Sequence, residues 1–302
     1  MKDVIIIGGS GAGSTAGVYT ARAGLNVLVI TENFGGQLLE TEFIENFPSY
    51  KKISGIEIAM KLEEQLREYK EINIIEGVKV TNIKKVENIF KVKTSDGNEF
   101  ESKTVIIASG MIRKKLNVPG EKEYKGKGVF YCAVCDGPMY KEKTTTVIGA
   151  GFAGVEDALF LSNICKKVYL INWGTKLGGE EITRKKLLKQ TNVEYINNAQ
   201  TTQIFGDKMV TGLKYKNRTT EKEFEIKSDA VFVDIGQIPN TDFVDCEKTK
   251  NGAIIINEQN MTSIKGLFAA GDATSAAKAQ LVISTAEGAK AAIAVTEYIK
   301  EQ

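Results

Sequence analysis

The chain has 302 residues, 42% hydrophobic and 26% charged, a balance that calls for a packed core in about two domains and excludes wholesale disorder or a fibrous repeat. Its formal charge of +2, from 40 Lys and Arg against 38 Asp and Glu, leaves no electrostatic footprint for nucleic acid or a membrane surface. The chain contains 0 histidines, which excludes Ser-His triads, Cys-His pairs and His-ligated metals together, so proton transfer must use Asp, Glu, Lys, Tyr, Cys or water.

The first predicted element is the strand Val4-Ile5-Ile6-Ile7, which opens the sequence without the features of a signal peptide. With no apolar run of membrane-spanning length, a cytoplasmic protein is expected. The strand runs into Gly8-Gly9-Ser10-Gly11-Ala12-Gly13, then a helix to Gly24 and the strand Leu25–Ile30. In such a strand-turn-helix the glycines allow a tight bend and close helix packing, so Gly8, Ser10, Gly11, Ala12 and Gly13 are candidates to hold a pyrophosphate. Ser10 stands where the G-x-G-x-x-G pattern has its middle glycine, and the same turn also serves as plain turn chemistry in other α/β proteins. Glu32, near the end of the second strand, is placed to accept hydrogen bonds from a ribose.

Ser54 and Glu57 form a capping box for a helix with Ile58, Leu62, Leu66 and Tyr69 on one face. Short alternating segments follow, with Asp96-Gly97 turning a hairpin between residues 90–93 and 99–101. The strand Val105–Ala108 ends in Ser109-Gly110, and the segment around Pro119 reads as a crossing to a second domain. There Thr146-Val147-Ile148 enters a second glycine-rich turn, Gly149-Ala150-Gly151-Phe152-Ala153-Gly154, followed by a helix and the strand Lys167–Ile171. A second meander is expected from about Val193 to Val233. Gly266–Ala270 is a strand ending in Gly271-Asp272, whose carboxylate suits a ribityl hydroxyl, and an Ala-rich helix closes the chain.

Of four cysteines, two make Cys132-Ala133-Val134-Cys135, followed by Asp136. A zinc half-site would lack partners, and an inert core pair sits poorly beside Asp136. A dithiol/disulfide fits the spacing, with the neighbouring carboxyl able to move the proton that thiolate chemistry requires.

Gly8 to Gly13, Gly35-Gly36-Gln37-Leu38, Glu45-Asn46-Phe47-Pro48, Cys132 to Gly137, Ile235 to Asn240 and Gly271-Asp272 stand in the order and spacing of the low-molecular-weight thioredoxin reductases, which the whole chain resembles. The resemblance implies an α/β fold of two Rossmann-like, three-layer ββα domains: a discontinuous FAD domain, residues 1–114 and 243–302, and a central domain, 115–242, carrying the CxxC. It implies that Gly35, Gly36, Gln37, Asn46, Ala108, Gly110, Gly271, Asp272 and Gln280 contact FAD. It further implies that Cys135 faces the flavin, Cys132 attacks the disulfide of thioredoxin and Asp136 is the general acid/base, in a homodimer.

One departure concerns the electron donor. The family's NADPH turn ends in Ala and is followed, after the next strand, by a His-Arg-Arg stretch and a further Arg. Here the turn ends in Gly154 and the stretch reads Asn172-Trp173-Gly174-Thr175-Lys176-Leu177-Gly178. Two charge-assisted contacts at about 1.5 to 3 kcal/mol each are worth about 3 to 6 kcal/mol, or roughly a hundredfold to ten-thousandfold in NADPH affinity. An NAD site would want Asp or Glu where Asn172 stands. The sequence most resembles the ferredoxin-dependent flavin thioredoxin reductases, which implies ferredoxin as donor, with Lys51-Lys52, Lys114-Lys115 and Lys166-Lys167 as docking candidates. The alternative is an NADPH-dependent enzyme with a diverged site using Lys176 and Arg184. A non-catalytic FAD sensor would not need the CxxC, and an NAD(P)H-ferredoxin-type oxidoreductase typically lacks it.

Overall fold

The computed structural model describes residues 1–41 and 43–302. The chain divides into two compact units, Met1–Ile112 with Ile238–Gln302, and Arg113–Gln237.

The first unit starts with β1 (Lys2–Gly9), α1 (Gly11–Arg22) and β2 (Val27–Phe34), then α2 (Gly55–Arg67) and β3 (Ile72–Glu76). Strand β1 lies parallel to β2, and β2 to β3. β1 is apolar without alternation because both its faces are covered: Val4 and Ile6 join one buried cluster with residues of α1, Ile5 and Ile7 the opposite one. Helix α2 carries its capping box, the Glu57 amide donating to Ser54 Oγ at 3.1 Å and the Ser54 amide to Glu57 Oε2 at 3.2 Å. The hairpin strands β4 (Val80–Val86) and β5 (Ile89–Thr94) lead to β6 (Glu99–Ile107). The expected short strand at 99–101 and the strand from Val105 are one element, because the start of β6 pairs antiparallel with β5 while Ser102 to Ile107 pairs parallel with β1.

The chain leaves through β7 (Met111–Arg113) into β8 (Val129–Phe130), the single-turn α3 (Ala133–Asp136), β9 (Thr144–Ile148), α4 (Phe152–Ser162), β10 (Lys167–Ile171), α5 (Glu181–Leu187) and β11 (Val193–Ile196). A meander of β12 (Ala199–Gly206), β13 (Val210–Asn217) and β14 (Glu223–Lys227) precedes β15 (Ala230–Val233). The second meander is shorter than expected: β11 and β15 belong instead to a parallel sheet ordered β11-β10-β9-β15-β8. β15 is buried throughout, as a central strand covered on both faces must be.

The return runs through β16 (Gln237–Pro239), which pairs with β7, to β17 (Leu267–Ala269) beside β6 and then α6 (Leu281–Lys300). Helix α6 packs on α1 so closely that a Cβ at Gly288 would fall 2.1 Å from the Ala12 oxygen. Among the described residues no helix is long and apolar enough to cross a membrane.

Candidate functional site

In the first unit the glycine-rich turn is shaped by backbone contact. A Cβ at Gly8, where φ is +112°, would lie 2.2 Å from the Ala108 oxygen, and one at Gly13 would lie 1.9 Å from the Gly8 oxygen. Only glycine lets β1, β6 and α1 meet this tightly. Ser10 is the residue ahead of α1, yet its hydroxyl donates to the Gly35 oxygen at 2.7 Å and does not cap the helix. The first amides of a 12-residue helix are therefore left uncapped by side chains, which suits a pyrophosphate.

The same tether brings Gly35 and Gly36 to the turn, where Gly35 donates its amide to the Gly9 oxygen at 3.1 Å. Gln37 is the second residue of the short 3-10 turn Gly36–Glu40. Asn46 and Gln280, 234 positions apart in sequence, meet through an Asn46 Nδ2 to Gln280 Oε1 bond of 2.8 Å. Gly271 lies on α1, its would-be Cβ 3.0 Å from that of Ala12, placing Asp272 beside the turn. Burial pushes the Asp272 carboxyl up, opposed by hydrogen bonds from Ser284 and the Ala279 amide. Gly110, at φ +63°, has open space at its Cβ position. Glu32 sits at the exposed end of β2, its carboxylate 3.2 Å from Lys79 Nζ.

Sequence reasoning missed Glu287 of α6, whose Oε2 accepts the Gly271 amide at 2.7 Å and so holds the turn that aims Asp272. Its signal was an acid in the Ala-rich middle of the helix, with Gly288 beside it.

In the second unit Cys132 and Cys135 form a disulfide, their Cα atoms 5.4 Å apart. Cys132 is buried and Cys135 exposed, and the Cys135 amide donates to Cys132 Sγ at 3.1 Å. That amide is positioned to stabilise negative charge on Cys132 when the bond opens. Asp136 follows at the end of α3, near enough for its charge to help push up the Tyr140 hydroxyl, which burial raises first. Among the described residues no group of three or more His, Cys, Asp or Glu is arranged to hold a metal ion.

The second glycine-rich turn repeats the geometry of the first: a Cβ at Gly149 would lie 1.9 Å from the Asp234 oxygen, and one at Gly154 1.9 Å from the Gly149 oxygen. The segment after β10 is occupied with itself. Asn172 Nδ2 donates to the Lys176 oxygen and to Asn197 Oδ1 at 3.2 and 3.1 Å, while its Oδ1 accepts the Gly174 amide at 3.1 Å. Gly178 donates to the Ala150 oxygen at 2.7 Å, and a Cβ there would lie 2.7 Å from the Gly151 carbonyl carbon, so this segment folds down on the turn. Arg184 donates to the Gly179 oxygen at 2.9 Å. Lys176 is exposed. Arg218, also missed, stacks its guanidinium 3.3 Å from the Trp173 ring centre; 45 positions of sequence hide the pair.

The sequence matches the pyridine nucleotide-disulphide oxidoreductase family over residues 2–293. It is 40% identical over 299 residues to a Bacillus subtilis protein named NADH dehydrogenase and 40% over 308 to a Pseudomonas putida component of alkyl hydroperoxide reductase, covering 98% of this chain in both. The chain spans 58% of the length of these two curated relatives. Among solved structures, thioredoxin reductase of Lactococcus lactis is similar with TM-score 0.94 and 34% identity, each chain covered 100%. That of T. acidophilum gives 0.91 and 38%, covering 98% of each. A ferredoxin-flavin thioredoxin reductase of Clostridium acetobutylicum gives 0.54 and 30%, covering 100% of this chain and 99% of its own.

Proposed function

Because the chain belongs to the pyridine nucleotide-disulphide oxidoreductase family, we propose that it is a thioredoxin reductase-like flavoprotein that reduces thioredoxin through the Cys132–Cys135 couple. The observation that carries this reading is the disulfide itself, formed at the start of α3 with an amide already aimed at Cys132 Sγ.

The first unit's residues fit FAD: the uncapped start of α1 for the pyrophosphate, Asp272 for a ribityl hydroxyl, and Asn46 with Gln280 converging from opposite parts of the sequence. Bound there, FAD supplies a carrier able to take electrons singly or in pairs. Cys135 is assigned the thiol that faces it, and Cys132 the thiolate that attacks the substrate disulfide, forming a mixed disulfide that Cys135 resolves. Asp136 gives and takes the proton of that exchange.

Reduced ferredoxin is the proposed donor. The side chain that a nucleotide ribose would meet at the end of β10, Asn172, is spent on hydrogen bonds within the protein, and a side chain at Gly178 would meet the Gly151 backbone. A second reading, an enzyme fed by NADPH or NADH, has in its favour the exposed Trp173 carrying Arg218 beside that loop.

The test reduces bound flavin photochemically without air, then adds oxidised thioredoxin and counts thiols. Two thiols on thioredoxin per reduced flavin support the proposal. Reduced flavin that leaves thioredoxin oxidised contradicts it.

A further inference from the structure

Tyr131 stands between the last paired residue of β8, Phe130 opposite Phe232, and Cys132 at the head of α3. Its side chain is half-buried, and its hydroxyl donates to Glu121 Oε1 at 2.8 Å. Glu121 is 4% exposed. A carboxyl buried this deeply is costly unless donors fill it. Besides Tyr131, the Leu116 amide donates to Oε1 at 2.9 Å and the Asn117 amide to Oε2 at 2.6 Å. Those two bonds are local and close a bend in which Asn117 takes a φ of +56°. The Tyr131 bond is different, because it ties that bend to the residue preceding the redox pair.

The bend is itself fixed to β12. The Ile204 amide donates to the Pro119 oxygen at 2.9 Å, and a Cβ at Gly120, where φ is +88°, would lie 1.9 Å from the Ile204 oxygen. The Tyr124 hydroxyl donates to the Gly206 oxygen at 2.8 Å. On the other side, the sheet pairing of β8 ends at Phe130, and α3 is a single turn, too short to hold its shape by its own hydrogen bonds. Burial first, and Glu121 next, push the Tyr131 hydroxyl far above its usual range, so it remains a donor through neutral pH.

We propose that Tyr131 is a positioning residue, whose bond to Glu121 anchors the start of α3 to the fixed bend and keeps Cys132 in place to close on Cys135; the inference rests on the dithiol reading above. Once the disulfide opens, only the surrounding backbone keeps the two sulfurs together, and the balance between dithiol and disulfide measures that hold. Without the anchor the dithiol form gains conformational freedom that the disulfide form lacks, so the balance moves toward the dithiol.

The test equilibrates the full chain without air in mixtures of dithiothreitol and its cyclic disulfide, and counts the protein thiols gained over those of the free Cys165 and Cys246. Dithiothreitol closes to its ring and passes two electrons and two protons to the Cys132–Cys135 bond, which opens to two thiols. Tyr131→Phe keeps the ring and loses the bond, so its constant should move toward the dithiol by about threefold to tenfold, the span of one modest hydrogen bond. Glu121→Gln gives Tyr131 a weaker acceptor and should move the constant the same way, which decides the matter if Tyr131→Phe does not fold. Tyr124→Phe removes a bond from the same bend without touching α3, so it should lower the urea midpoint and leave the constant at the native value. A merely structural role would move the Tyr131 and Tyr124 variants alike. Native constants in Tyr131→Phe and Glu121→Gln, a shift toward the disulfide, or an equal shift in Tyr124→Phe overturns the inference and leaves the dithiol reading standing. If the native pair does not exchange with dithiothreitol at all, the dithiol reading fails and the inference with it.

Discussion

At the scale of single residues, the proposed chemistry rests on the two sulfurs of Cys132 and Cys135. Cys132→Ser should keep a Cys135 thiolate able to perturb the flavin spectrum at long wavelength, while Cys135→Ser should not, and both should lose thioredoxin reduction; full turnover in either would end the dithiol mechanism. Gly13→Ala forces a Cβ to within 1.9 Å of the Gly8 oxygen, so α1 must shift off β1. That variant should purify largely free of flavin and lose about 1 to 3 kcal/mol in urea unfolding. Asp272 gives a pH signature. Because its folded-state pKa is raised by burial, the folded protein holds the proton more tightly than the unfolded chain does. Flavin-free protein should therefore lose stability as pH rises from the ordinary Asp value, about 4, through the raised one. Asp272→Asn should flatten that part of the curve and weaken FAD binding, which urea midpoints across pH and a flavin titration would show.

At the scale of elements, the strands that position the site are legible in the sequence where a glycine turn follows a fully apolar run, as at Ile7-Gly8 and Ile148-Gly149. Elements whose partners are distant are not. Val193–Ile196 and Ala230–Val233 read as the ends of a meander, yet both pair with strands of the parallel sheet, and no local feature separates a short buried parallel strand from a hairpin strand. The continuity of β6 was hidden because its start pairs with β5 and its end with β17. Glu287 and Arg218 could not be placed for the same reason: each acts on a loop reached only through the fold. Helix α2, whose capping box is wholly local, was readable. Ser54→Ala removes the acceptor of the Glu57 amide and should cost about 0.5 to 2 kcal/mol, read as a lower urea midpoint without loss of flavin.

At the scale of the whole molecule, ferredoxin as the proposed donor would bring electrons in singly from an acidic protein and leave the glycine-rich turn of the second unit with a structural role. The lysine pairs are only partly available for such docking, since Lys167 is held by Glu194 at 2.8 Å and Lys52 lies over the Phe43 ring. Whatever lysines remain act through a field screened beyond about 8 to 10 Å at ordinary ionic strength, so added salt should slow a ferredoxin-driven reaction and leave a small uncharged donor unaffected. The most direct measurement is anaerobic bleaching of the bound flavin by NADPH, NADH and reduced ferredoxin in parallel, followed by thiol counting on thioredoxin. The account predicts that reduced ferredoxin bleaches the flavin and yields reduced thioredoxin while both nicotinamide cofactors act slowly or not at all. Rapid stoichiometric bleaching by micromolar NADPH or NADH would contradict it.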